Sequence, residues 1–368
     1  MRYLLPIILL LLIIGCPKPD EQLDPAICDD GYYPCGPDSQ ECCLDTTSHE
    51  FTWEIDTLGD YGSYLNDVAI ISEDDIWVVG KIKTDSITYN TAHWDGREWE
   101  ISRILRPVDF EGVFAFSQND IWFVDGCKIF HYDGQDFTEM WMCDWQQYGV
   151  NQVTSAWGTS SSNMYFVGNG GSIVHYDGTT FSRMESEIMT DLKRIAGSSD
   201  GNHIFATGYS YISGHNESVT LSFTNNHWET LLYADDYLGD VSQLEYGRMS
   251  AVDVFGDTCS IVSKEGLIKY NFINETFEVV PPWKAKISGH DFEAISVESN
   301  ADIMIFGFRG FISHYNGATW SLGDQLDSPR SVSAWFNSGK LKNNLAAMVG
   351  IVLNYEDNAG ALVALGHR

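Results

Sequence analysis

One phrase returns along this chain and limits what the chain can fold into. Its clearest copy runs from Ser155 to Arg183, S-A-W-G-T-S-S-S-N-M-Y-F-V-G-N-G-G-S-I-V-H-Y-D-G-T-T-F-S-R. Apolar alternation broken twice by turn residues is the pattern of a small antiparallel meander. The phrase returns around Ile76 to Trp99, Ile121 to Phe137 and Ile303 to Trp320. Its markers are His93-Trp94-Asp95-Gly96, His131-Tyr132-Asp133-Gly134, His175-Tyr176-Asp177-Gly178 and His314-Tyr315-Asn316-Gly317. With weaker copies counted they recur every ~38 to 47 residues, the period of propeller and solenoid arrays.

Each unit resolves into four short strands. The first appears at Val68, Val113, Thr154, Arg194, Ser250, Ala294 and Ser333, and nearly every copy contains the small Ala or Ser that a crowded innermost position requires. The second is apolar on both faces, as in Ile76 to Gly80 and Met164 to Gly168, and so is expected between neighbouring units. The third carries the His-Tyr-Asp-Gly marker, whose Asp-Gly supplies the φ > 0 positions of a tight hairpin. The fourth starts on an aromatic: Trp99, Phe137, Phe181, Trp228, Phe277 or Trp320. The missing seventh fourth strand lies at the other end of the repeats, in Phe51 to Ile55. The pattern predicts an all-β fold, a seven-bladed β-propeller whose N-terminal strand joins the C-terminal blade and removes the open edges. In that last blade Val349 to Tyr355 lacks the turn between second and third strands, so Ala361 to Leu365 reads as a spare strand or a frayed tail.

Residues 1–15 form an apolar leader, 16–50 a Pro-, Asp- and Gly-rich tether, and 51–368 the repeats. Leu12-Ile13-Ile14-Gly15-Cys16 resembles the bacterial lipoprotein processing site, which implies a lipidated Cys16 and anchorage to a membrane leaflet. Pro17 stands where some bacteria place the Asp of inner-membrane retention, so the resemblance implies the outer membrane or cell surface. Within the tether, Cys28, Cys35, Cys42 and Cys43 suggest a disulfide-stapled knob. Joining Cys42 to Cys43 strains disulfide geometry. The remaining pairings are Cys28 with Cys42 and Cys35 with Cys43, or the crossed alternative.

Ile76 to Gly80, Ser172 to Phe181 and Gly310 to Trp320 are similar to the repeats of bacterial extracytoplasmic propellers, often lipoproteins, with blades of the form D-[IV]-W-A-V-G-x-x-G-x-I-x-H-Y-D-G-x-x-W. The resemblance covers the chain after Phe51 and implies fold and export. It leaves activity open, because one fold hosts many functions.

No catalytic constellation, metal site or cofactor loop emerges. His93, His131, His175 and His314 recur once per blade and read as architecture. Cys127 and Cys143 flank a hairpin turning near Asp133 and are expected to form a disulfide, while Cys259 reads as a small buried hydrophobe. With 52 acidic residues against 21 basic and a net charge of −31, the chain repels nucleic acid. Long stretches gather on the side of the disc where one blade hands over to the next, and they contain Tyr89, Trp141, Trp145, Tyr148, Tyr209, Tyr211, Tyr233, Tyr237 and Tyr246 beside acids such as Asp235 and Asp236. Aromatics beside acids suit a protein or carbohydrate partner. The enzymatic alternative is a glycoside hydrolase or lyase with carboxylates at the axial mouth.

Overall fold

The computed structural model describes the backbone of residues 32–34 and 42–44, and residues 46–104, 109–143, 149–212, 215–235, 247–282, 284–285, 287, 292–308, 310–322, 333–353 and 360–368. The chain divides into two units, Met1–Asp45 and Thr46–Arg368. In the first, Tyr32–Pro34 pairs antiparallel with Cys42–Leu44, Tyr33 standing opposite Cys43. Cys16, Cys28 and Cys35 lie outside the described residues.

The second unit is a ring of seven four-stranded antiparallel sheets. We number the blades 1 to 7 from the sheet that begins at Tyr64 and count strands outward from the axis. Each sheet runs in sequence order from inner to outer strand, except in blade 7, where Ser333–Lys342, Leu345–Leu353 and Ala361–His367 are completed on the outside by Thr52–Leu58. Thr52 stands opposite His367 and Leu58 opposite Ala361. The expected closure is therefore present, and Ala361–His367 is the third strand of the last blade. Its residues Ala361 to Leu365 are all buried, which a frayed tail would not be. The unit begins at Thr46, five residues before the expected Phe51. Thr47 and Asn316 exchange hydrogen bonds, the Thr47 amide to the Asn316 carbonyl and the Asn316 amide side chain to the Thr47 carbonyl.

Seven apolar clusters, one between each pair of adjacent blades, take the place of a single core. The second strands supply much of each: Ile76 and Val78 face blade 7, while Val79 and Trp77 face blade 2. Burial between blades lets so long a chain remain one cooperative array, because each blade needs only its neighbours.

Two repeated signals now have physical causes. Gly168, Gly208 and Gly350 lie in second strands where a Cβ would come within about 2 Å of the carbonyl of Gln152, Asp191 or Trp335, on the chain entering the same blade. At the marker turns, Asp95, Asp133 and Asp177 each accept two backbone amides from residues two and three further on, and the following Gly96, Gly134 and Gly178 sit at φ near +90°. Those amides hold the three carboxyls below the usual carboxylate range.

In blade 2, Cys127 and Cys143 form the expected disulfide, with Cα atoms 5.0 Å apart, beside a bond from the Cys143 amide to the Cys127 carbonyl. Replacing both by Ser should lower stability by roughly 3 kcal/mol, the entropy of closing a loop of this length. Urea unfolding of parent and variant, each with and without reductant, measures it; an unchanged midpoint would show that the hairpin alone fixes these strands.

Candidate functional site

The four marker histidines are held by one device. The Nε2 of His93, His131, His175 and His314 lies 2.8 to 2.9 Å from Asp75, Asp120, Asn163 and Asp302, each at the start of its own blade's second strand. Three of the rings also pack on the aromatic directly opposite: His93 on Trp77, His131 on Trp122, His175 on Tyr165. Sequence reasoning identified the histidines as architecture but missed their partners. The signal was present, since Asp or Asn precedes Ile76, Ile121, Met164 and Ile303.

The axial channel, about 210 Å³, is lined by all seven inner strands and holds Asp67, Arg194, Asp253 and Lys340. Its acids are engaged in joining blades. Asp67 accepts the Val113 amide and the Ser338 hydroxyl, and Asp253 accepts the amides of Val254 and Val297. Arg194 reaches across the ring from blade 4 to donate to the Asn337 carbonyl of blade 7 at 2.7 Å. Burial raises the Asp253 carboxyl, with the Lys340 ammonium opposing that rise. The channel thus carries two cations and two anions inside a strongly acidic protein.

On the handover side of the disc, blade 4 is extended relative to blade 3. Its second, third and fourth strands, Ile204–Ile212, His215–Thr224 and His227–Asp235, are 9, 10 and 9 residues long, whereas the corresponding strands of blade 3 have 6, 5 and 4. The stretch from Tyr209 to Ser218 is therefore sheet, with Tyr209 opposite Ser218 and Tyr211 opposite Asn216. Tyr209 faces blade 5: the Arg248 guanidinium lies 4.5 Å and the Lys193 ammonium 5.9 Å from its ring centre. Tyr211, two residues on, shares that face and is 73% exposed. Tyr233 stands opposite Val219, which is buried against blade 3, and so occupies the other face. Its hydroxyl donates to Asp235 at 3.2 Å, and its acidity is pushed to about 12 by partial burial and by the charges of Glu217 and Asp235.

The remaining aromatic candidates are distributed differently. Tyr89 lies in the third strand of blade 1, Thr88–Trp94, and packs on the cluster between blades 7 and 1. Trp141 lies in the outer strand of blade 2, Phe137–Met142, with its ring stacked on Phe181 of blade 3. Trp145, Tyr148, Asp236, Tyr237 and Tyr246 lie outside the described residues. The structure thus brings Tyr209 and Tyr211 together and sets Tyr233 with Asp235 behind them.

No family model and no curated protein matches the chain. Among solved structures, the chain is similar in fold to YCF48. The structure of YCF48 bound to a D1 peptide shares 15% identity with it at a TM-score of 0.60, over 88% of this chain and 99% of that one. YCF48 from Cyanidioschyzon merolae shares 14% identity at a TM-score of 0.54, over 86% of this chain and 98% of that one. At these identities the likeness to YCF48 speaks to the propeller alone.

Proposed function

We propose that this chain is an exported, lipid-anchored binding propeller that recognises a protein partner through the extended strands of blade 4. The observation that carries the reading is the pair Tyr209 and Tyr211 on one face of a sheet that outgrows its neighbours. Tyr209 is braced between two cations and Tyr211 is presented to solvent, so a rigid anchor adjoins an open aromatic surface. The binding of a D1 peptide by YCF48 supports a protein over a glycan as partner. Anchorage rests on the apolar leader ending in Gly15-Cys16 and on the resemblance of the repeats to extracytoplasmic propellers.

Residues 46–368, immobilised and challenged with envelope extract under cross-linking, should capture a discrete protein. Affinity for that protein should fall by about tenfold or more in Tyr211→Ala, as for an aromatic interface anchor, and should change less in Tyr233→Ala, which alters the opposite face. Equal affinity of both variants and the parent would remove blade 4 from the interface. Labelling the full chain with a radioactive fatty acid, and loss of label in Cys16→Ser, tests the anchor.

A further inference from the structure

We infer that residues 46–50 are a strap that lies on blade 6 near neutrality and is released in mild acid, with His49 as the group that senses pH. The strap precedes the closing strand Thr52–Leu58 and makes its own contacts with blade 6 and the end of blade 7. The Thr47 amide donates to the Asn316 carbonyl at 3.1 Å, the Asn316 side chain returns a bond to the Thr47 carbonyl at 3.0 Å, and Arg368 reaches the Ser48 carbonyl at 3.5 Å. The half-buried His49 ring sets its Nδ1 2.9 Å from Nδ1 of His314 and its Nε2 3.0 Å from the Thr319 hydroxyl. His314 is the marker histidine of blade 6. Its side chain is 3% exposed, against 31% for His93 and 21% for His131, and the rings of His49 and Phe51 meet it edge-on.

With both rings neutral, the protons in this chain of contacts have one arrangement. Nε2 of His314 lies 2.8 Å from Asp302, a carboxylate that only accepts, so this nitrogen carries the hydrogen. Nδ1 of His314 is then an acceptor, and His49 donates to it from its own Nδ1. That leaves a lone pair on Nε2 of His49, which the Thr319 hydroxyl satisfies by donating. An added proton finds no free place. On His314 it would set two N–H groups against each other across 2.9 Å. On Nε2 of His49 it would remove the Thr319 donor and create a cation near the Arg368 guanidinium.

Charge sets the direction. From blade 6 the His49 ring faces His314 and, behind it, Asp302; from the end of blade 7 it faces Arg368, which has Glu298 at 3.9 Å; Glu50 on the strap itself is exposed. Asp302 is already shared between Arg368 and His314. Burial holds the docked His49 below the ordinary histidine value, His314 and Arg368 lower it further, and Asp302 opposes them. Once released, the ring stands in water and titrates near 6.5, at about the ordinary value. The released strap therefore takes up the proton more readily. Docking is fully present above about pH 6.5 and weakens as pH falls, by up to about tenfold per unit, until the docked ring itself titrates. The ladder of Thr52–Leu58 with Ala361–His367 does not involve His49, so the ring stays closed while the strap is free. The device is independent of the blade 4 reading.

The test is hydrogen exchange on residues 17–368, which keep the strap's natural neighbours, followed by NMR and corrected for the intrinsic rate at each pH. The Thr47 amide, bonded to Asn316, reports on the strap, and the amides of Thr52–Leu58 report on closure of the ring. Between about pH 7.5 and about pH 5, protection of Thr47 should fall by about fivefold or more while protection in Thr52–Leu58 stays within about twofold. His49→Gln, which keeps a donor and an acceptor but takes up no proton, should abolish the change. The His49 ring, followed through its Cε1 proton, should titrate at lower pH in the protein than in an acetylated peptide of residues 46–58. Constant protection of Thr47, the same fall in His49→Gln, an equal fall in both sets of amides, or a midpoint no lower than that of the peptide would overturn the inference.

Discussion

Arg368→Ala is expected to lower the stability of the propeller by about 3–5 kcal/mol, the range for removing one partner of a buried ion pair. The Arg368 side chain and the Asp302 carboxylate are each only 4% exposed. Arg368 donates to Asp302 through both terminal nitrogens and from its Nε to the Oδ1 of Asn344, while its guanidinium lies 5.2 Å from the centre of the Phe51 ring. Asp302 also holds Nε2 of His314 at 2.8 Å, and Nδ1 of His314 meets Nδ1 of His49 at 2.9 Å. One buried carboxylate therefore joins blade 6, the end of blade 7 and the segment leading into the closing strand. Without Arg368, Asp302 keeps one strong donor in a site that still excludes water.

The pH dependence follows from the same contacts. Burial alone would raise the Asp302 carboxyl, but hydrogen bonds from His314 and Arg368 outweigh it and the net shift is downward. A depressed folded-state value means that the contribution is fully present above the unfolded carboxylate pKa of about 3.9 and is lost as pH falls through the folded value. Parent and Arg368→Ala should therefore differ most near neutrality and converge in strong acid. Urea unfolding at several pH values measures this. The double variant Asp302→Asn with Arg368→Met should be less destabilised than Arg368→Ala, because no unpaired charge remains. A single variant within 1 kcal/mol of the parent at neutral pH would show that the pair is replaceable by water.

The ring was legible in the sequence because it is built from a local pattern repeated. A turn of Asp177-Gly178 followed by Phe181 predicts the same hairpin wherever it occurs, and every expected fourth-strand aromatic lies at the start of such a strand, Trp228 and Phe277 one residue in. The expected site was less legible, because insertion and display are different properties. Tyr209 to Ser218 reads as an irregular stretch, yet lengthening two neighbouring strands together continues the ladder and makes more sheet. Sheet alternation then assigned Tyr211 and Tyr233 to opposite faces, a consequence of register that composition does not contain. Trp141 is one residue from the end of its strand, close enough to the loop to look displayed, but its ring meets Phe181 from the next blade.

Deleting residues through Leu58 is expected to cost about 5 kcal/mol or more and to make the propeller self-associate. Seven residues of ladder join Thr52–Leu58 to Ala361–His367, and Trp53 packs with Phe51 on the cluster between blades 6 and 7. At ~1 kcal/mol for each net hydrogen bond and 1.5–3 kcal/mol for each large apolar side chain buried, the strand accounts for a large part of an ordinary domain stability. Its loss would also uncover Ala361–His367, whose residues Leu362 to Leu365 are 0 to 3% exposed. An apolar edge strand of that kind pairs with whatever strand is available, and at high concentration that is another copy of itself. Light scattering should show oligomers of the shortened chain at concentrations where residues 46–368 are monomeric, and its thermal transition should broaden. A synthetic peptide of residues 46–58 should reverse both effects, because it supplies the ladder together with the Thr47 and His49 contacts to blade 6. A shortened chain that stays monomeric with an unshifted transition would mean that the ring holds without its closing strand, and that the contacts of Arg368 with Asp302 suffice to secure blade 7.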